Sequence, residues 1–116
     1  MYFVVEKDQV IALDISEALR EYRENVVVHV FETLQRARTG ALSLGRPETS
    51  VVSLSSLEEA DAHEIAAIGE MSQNVVLIVD NAESVTALPQ NCIIVARPFG
   101  SSALAAALIK LAADRG

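Results

Sequence analysis

The chain has 116 residues, 51% of them hydrophobic, and a formal net charge of −7. This length fits one compact domain over residues 1–116 that buries roughly two-thirds of the surface of its unfolded chain. An acidic surface repels phosphate backbones, so nucleic-acid binding is not expected. No segment reaches the ~20 apolar residues that span a bilayer, and the apolar start is too short for a signal peptide. We therefore expect a cytoplasmic protein without membrane contacts.

The first half of the chain contains two apolar runs, each followed by a helical pattern. Residues 2–6 predict a buried strand, and Asp8 is a suitable N-cap for a helix that runs to about residue 23. Residues 26–31 predict a second strand. The helix expected from Thr33 to about residue 44 is weaker, and we expect Gly40 to break or fray it.

The second half repeats this alternation. Strands are predicted at 50–54, 74–79 and 93–96, and helices at 57–70, 82–88 and 101–114. Strands separated by helices imply parallel pairing with right-handed crossovers and helices on both faces. The predicted fold is α/β: a three-layer α/β/α sandwich of flavodoxin-like type, with a doubly wound sheet of five parallel strands in the order 2-1-3-4-5.

The order and spacing of these elements resemble the receiver domain of bacterial two-component response regulators over nearly the whole chain. Val4-Val5-Glu6 looks like that family's first strand, which ends in an acidic pair. Residues 93–99 look like its fifth strand, which ends in a basic residue followed by Pro and Phe. The alanine-rich run 103–108 looks like part of its last helix.

The resemblance implies a particular phosphotransfer site. In that family an aspartate at the end of the third strand accepts phosphate from a histidine kinase, and two acidic residues after the first strand hold Mg²⁺. A Ser or Thr ends the fourth strand, a Lys ends the fifth, and an aromatic residue three positions before the Lys reports the state. The metal offsets the charge of the attacking carboxylate and of the incoming phosphoryl group.

Nearly every one of these positions is altered in this chain. Glu6 and Lys7 stand where the family has its acidic pair, and Ser53 stands where it has the aspartate. Val79 replaces the Ser or Thr, Arg97 replaces the Lys, and Ile94 replaces the aromatic residue. An ammonium group near the metal position would repel Mg²⁺, and the nucleophile is missing. We therefore expect a degenerate receiver domain that is not an enzyme and uses neither Mg²⁺ nor another cofactor.

Other interpretations of the same residues stay open. Ser53, Lys7 and Arg97 would suit a serine-modified or anion-sensing switch. A small serine hydrolase would need a base beside Ser53, and no Gly-x-Ser-x-Gly elbow is present. Lys7 is either a built-in replacement for the metal or the partner of Glu6 in a solvated ion pair. Arg97 is either an anion clamp or the partner of Glu6 or Asp80 in a salt bridge.

Without a phosphotransfer site, the expected function is signal transduction through contact with a signalling protein or a second copy of the chain. The expected face consists of the last helix, the fifth strand and the short fourth helix. Its candidate contact residues are Ala103, Ala106, Ala107 and Lys110. Ile94 replaces the aromatic, so this face is expected to hold one conformation. The single cysteine, Cys92, is expected to be a buried strand thiol.

Overall fold

The computed structural model describes residues 1–53, 66–67, 69–70, 72–79, 91–96 and 104–110. Five strands form one sheet: β1 (Tyr2–Val5), β2 (Val28–Phe31), β3 (Thr49–Ser53), β4 (Asn74–Val79) and β5 (Cys92–Ala96). All neighbours pair in parallel, in the order β2-β1-β3-β4-β5. This confirms the predicted flavodoxin-like sheet.

Helices cover both faces of this sheet. They are α1 (Gln9–Tyr22), α2 (Leu34–Leu44) and the helical segment 104–110, which lies within the predicted last helix. Residues 66–67 and 69–70 of the predicted helix 57–70 are helical, and the rest of that helix lies outside the described residues, as does the predicted helix 82–88.

Strand β2 begins two residues later than predicted. The N–H of Val26 donates to the carbonyl of Arg23 at 3.2 Å, so Val26 belongs to the turn that leaves α1. The ladder with β1 starts where the N–H of Tyr2 donates to the carbonyl of Val27 at 2.8 Å. The apolar pattern does not distinguish the turn from the strand, because valine is compatible with both positions.

The core is divided between the two faces of the sheet. On one face, Val4, Val51 and Val76 pack against α1 and segment 104–110. On the other face, Phe3, Val52 and Leu77 belong to a second cluster that includes Ala37 of α2. Alternate residues of a strand point to opposite faces, and helices cover both faces, so the three central strands β1, β3 and β4 are buried at nearly every position.

The outer strands are less buried than the central ones. β2 is half-buried and Val30 is exposed. In β5, residues 92–94 are half-buried and Val95 is buried, although the sequence predicted full burial for this strand. β2 and β5 are the two edge strands of the sheet, and in the described part of the chain each is paired on one side only.

Helix α2 is continuous through Gly40, so the expected break there is wrong. The ring of Phe31 explains why glycine stands in the helix interior. A Cβ built on Gly40 would lie 2.7 Å from two ring atoms of Phe31. Phe31 in turn packs against Phe3, with ring centroids 4.8 Å apart. Glycine therefore lets the helix lie close to the edge strand.

We predict that Gly40→Ala destabilises the protein by about 1–2 kcal/mol, the usual cost of overpacking. In an exposed helix the same change would stabilise by up to about 1 kcal/mol, so the contact with Phe31 reverses the sign. Chemical denaturation measures the difference, and Thr39→Ala, at the preceding exposed position, is the matched control. A more stable Gly40→Ala variant would contradict the close packing of Phe31.

Candidate functional site

The candidate site lies at the carboxyl edge of the sheet. Val5 is in register with Val52, so Glu6 follows β1 at the level where Ser53 ends β3. Ser53 in turn is in register with Ile78, one residue before the end of β4. Because all the strands are parallel, their ends meet at one edge, where open α/β sheets bind ligands. Glu6, Ser53 and Val79 therefore all lie at this edge, with Ser53 on the α1 face of the sheet and Val79 on the α2 face.

Glu6 is buried, with 8% of its surface exposed. Its N–H donates to the carbonyl of Phe31 at 3.0 Å and closes the ladder between β1 and β2. Its Oε1 accepts a hydrogen bond from the N–H of Asp8 at 3.1 Å. This carboxylate therefore supports the turn between β1 and α1.

Asp8 caps α1. Its Oδ1 accepts hydrogen bonds from the N–H groups of Val10 and Ile11, at 2.9 and 3.2 Å. Such a cap stabilises a protein by about 1 kcal/mol. The capping role predicted from sequence is confirmed, and this carboxylate is engaged in holding the helix start.

Lys7 does not form the ion pair with Glu6 that the sequence suggested. It is exposed, and no carboxylate of the described residues lies within 4 Å of its ammonium group. The chain bends at Lys7 after β1 ends, so Glu6 is buried and the side chain of Lys7 lies in solvent. The positive charge of Lys7 therefore lies in solvent, next to the edge of the sheet.

Ser53 is half-buried and lies on the sheet face of Val51, toward α1. His29 lies on the opposite face, where its ring meets the edge of Phe3 at a centroid distance of 6.0 Å. The register of Phe3 with His29 places this imidazole two strands away from Ser53. His29 therefore cannot act as the base of a serine hydrolase at Ser53.

Aliphatic side chains, Val79 and Ile94, fill the two positions that the resemblance assigns to a hydroxyl and to an aromatic residue. Val79 is fully buried in the cluster on the α2 face. Ile94 is half-buried against the same cluster, in register with Leu77. Neither side chain supplies a hydrogen-bonding group to the edge. Arg97 lies outside the described residues.

The expected contact helix has one buried and two exposed candidates. Ala107 is 6% exposed and packs with Leu104 and Leu108 in the core, because positions i, i+3 and i+4 share one helix face. Ala107 is therefore removed from the candidate contact residues. Ala106 and Lys110 are exposed, and Ala103 lies outside the described residues.

A second polar cluster, which the sequence analysis missed, lies at the amino edge of the sheet. Arg23 at the end of α1 contacts Glu48 at 2.7 Å, and the hydroxyls of Ser50 and Ser72 are hydrogen-bonded. The amide of Asn91 donates to the carbonyl of Gly69 at 2.8 Å. These contacts join loops that are far apart in sequence, and no spacing pattern signals them.

The described part of the chain contains no group of three His, Cys, Asp or Glu side chains able to hold a metal ion. Within the same residues, no helix is both long and apolar enough to cross a bilayer. Comparison of the chain with family models, with characterised proteins and with solved structures finds no match. The fold and the residues at the edge of its sheet therefore carry the functional argument.

Burial raises the pKa of the Cys92 thiol to about 11, so the thiol stays protonated at neutral pH. In the unfolded chain it ionises near pH 9. The folded state therefore binds more protons between these values, and the free energy of unfolding falls as the pH rises from about 9 to about 11. We predict that Cys92→Ala reduces this alkaline loss, measured by denaturation at pH 8 and pH 10.5 in ~0.15 M salt. An identical loss in both proteins would contradict the burial of the thiol.

Proposed function

We propose that this chain is a degenerate receiver-like domain, which acts in cytoplasmic signal transduction by protein–protein contact and without phosphorylation. The observation that carries the proposal is the position of Ser53. It ends β3 beside Glu6, at the edge where a receiver domain holds its phosphate-accepting aspartate. A serine hydroxyl stands where that chemistry requires a carboxylate.

The charges at this edge support the proposal. A phosphorylatable site would bring about three carboxylates around a divalent cation. Here Glu6 accepts a backbone hydrogen bond and Asp8 caps α1. Lys7 replaces the second acidic residue with a positive charge that disfavours a cation nearby. Both carboxylates make hydrogen bonds that stabilise the start of α1.

The packing of Val79 and Ile94 supports constitutive binding of a partner protein, which no phosphorylation switches on or off. Both side chains are aliphatic and lie in or against the same apolar cluster. The aromatic side chain whose movement transmits phosphorylation in receiver domains has no counterpart at Ile94. The binding face is then set in one conformation, and binding depends on concentration.

The proposed face is the outer side of segment 104–110. The inner side holds Leu104 and Leu108 in the core. The outer side presents Ala106, Ile109 and Lys110, and the Ile109 side chain is more than half exposed. A small residue one turn from an exposed isoleucine lets a partner helix approach closely and bury apolar area.

We predict that acetyl phosphate or beryllofluoride, each with Mg²⁺, leaves the protein unchanged, because the accepting carboxylate is absent. Mass spectrometry tests for a phosphoryl adduct and calorimetry for Mg²⁺ binding. The Ser53→Asp/Lys7→Asp double variant should bind Mg²⁺ more tightly than either single variant, since it adds two carboxylates next to Glu6. A stable adduct on the unaltered protein would refute the proposal, and equal Mg²⁺ binding by all variants would refute this assignment of the edge.

We predict that Ala106→Glu weakens the binding of the partner protein about tenfold or more, because it puts a longer, hydrated side chain where the partner helix would approach closely. Quantitative pull-down with the unaltered protein and the variant measures the loss. Thr39→Glu, on the exposed side of α2, adds the same charge elsewhere and is the control. Equal loss with both variants would mean that net charge, and not this face, governs binding.

A further inference from the structure

The free edge of β2 carries an open row of backbone hydrogen-bonding groups. The N–H of Tyr2 donates to the carbonyl of Val27, and the N–H of Glu6 donates to the carbonyl of Phe31. In a parallel ladder, alternate residues face the neighbouring strand. Residues 27, 29 and 31 therefore face β1, and Val28 and Val30 direct their N–H and C=O groups away from the sheet.

The side chains of this edge are apolar and exposed. Val27 is 57% exposed and Val30 is 49% exposed, on opposite faces of the strand. No charged residue and no proline occurs from Val26 to Phe31. Proteins commonly protect an edge strand with such residues, because an unprotected edge pairs with other strands.

We propose that the β2 edge pairs with the β2 edge of a second copy of this chain, antiparallel about a two-fold axis at His29. In this register Val28 of one copy faces Val30 of the other. Each such pair exchanges two backbone hydrogen bonds. All four outward groups of each copy then have partners, and the two sheets form one continuous sheet of ten strands.

The structure selects this register among the symmetric ones. An axis at Val28 would place Val30 opposite Val26, but the N–H of Val26 already donates to the carbonyl of Arg23. An axis at Val30 would place Val28 opposite Glu32, which is charged and lies beyond the end of β2. The axis at His29 avoids both arrangements. It places Val27 opposite Phe31 and Val30 opposite Val28, so each exposed valine gains an apolar cross-strand neighbour.

A second copy fits this edge because the edge is complementary to itself: the same two residues supply donors and acceptors in two-fold order. The net charge of −7 on each copy opposes association. Salt screens this repulsion, so the dimer is expected to become tighter as the salt concentration rises. The proposal uses the β2 edge alone and does not depend on the proposed function.

A cysteine placed at the axis tests the register in the full chain, with Cys92 changed to Ala. Cα atoms of a non-hydrogen-bonded antiparallel pair lie about 4.5 Å apart, within the range that a disulfide spans. His29→Cys is therefore expected to form a cross-linked dimer under mild oxidation. Val27→Cys is the matched control, because the two copies of residue 27 would lie about 13 Å apart.

Sedimentation of the unmodified chain and of two surface variants tests the dimer itself. Val30→Lys is expected to raise the dissociation constant of the dimer about tenfold or more, since it removes an apolar contact from each copy. Leu42→Lys replaces an exposed leucine of α2 and should leave the dimer unchanged. Thermal unfolding of each variant checks that it is folded.

Three results would overturn the proposal. They are an unmodified chain that stays monomeric at high protein and salt concentrations, a folded Val30→Lys variant that dimerises as well as the unmodified chain, and equal cross-linking of Val27→Cys and His29→Cys. A dimer that resists Val30→Lys and is lost with Ala106→Glu would place self-association on segment 104–110. That outcome would refute the β2 pairing and leave the proposed function standing.

Discussion

The structure depends on one constraint: the central strands β1, β3 and β4 are buried on both faces. A parallel sheet needs a crossover connection between strands, and the crossover helices cover its faces. The apolar residues of these strands therefore divide into two clusters, one beneath α1 and segment 104–110 and the other beneath α2. The same parallel arrangement places every strand end at a common edge, so the candidate site follows from the packing of the core.

The residues at the carboxyl edge of the sheet also stabilise the fold itself. Glu6 is buried at the end of β1 and accepts a hydrogen bond from the backbone of Asp8, which in turn caps α1. These contacts stabilise the entry into the first helix whether or not a metal is bound. Ser53 and Val79 add a hydroxyl and an isopropyl group to this edge: Ser53 is half-buried, and Val79 is buried in the cluster beneath α2.

The two proposed contact surfaces do not share residues. One is the outer side of segment 104–110, with Ala106 and Lys110, and the other is the free edge of β2. The segment lies over the sheet face that α1 also covers, whereas the edge offers backbone groups in the plane of the sheet. A chain paired through β2 therefore still presents Ala106 and Lys110. Pairing would then supply two partner-binding faces in one assembly without covering either.

Local patterns in the sequence determined the strands and the cap at Asp8, because apolar period and capping chemistry act over a few residues. The alternation of strands and helices along the chain indicated the parallel sheet and its order. It also placed Glu6 and Ser53 at one edge, since parallel strands end together. Tertiary structure alone decided the rest. The ring of Phe31 keeps Gly40 inside a continuous helix, the core takes Ala107 away from the contact face, and Lys7 turns to solvent. Each depends on a neighbour distant in sequence or on the direction of a side chain, which one-dimensional spacing does not contain.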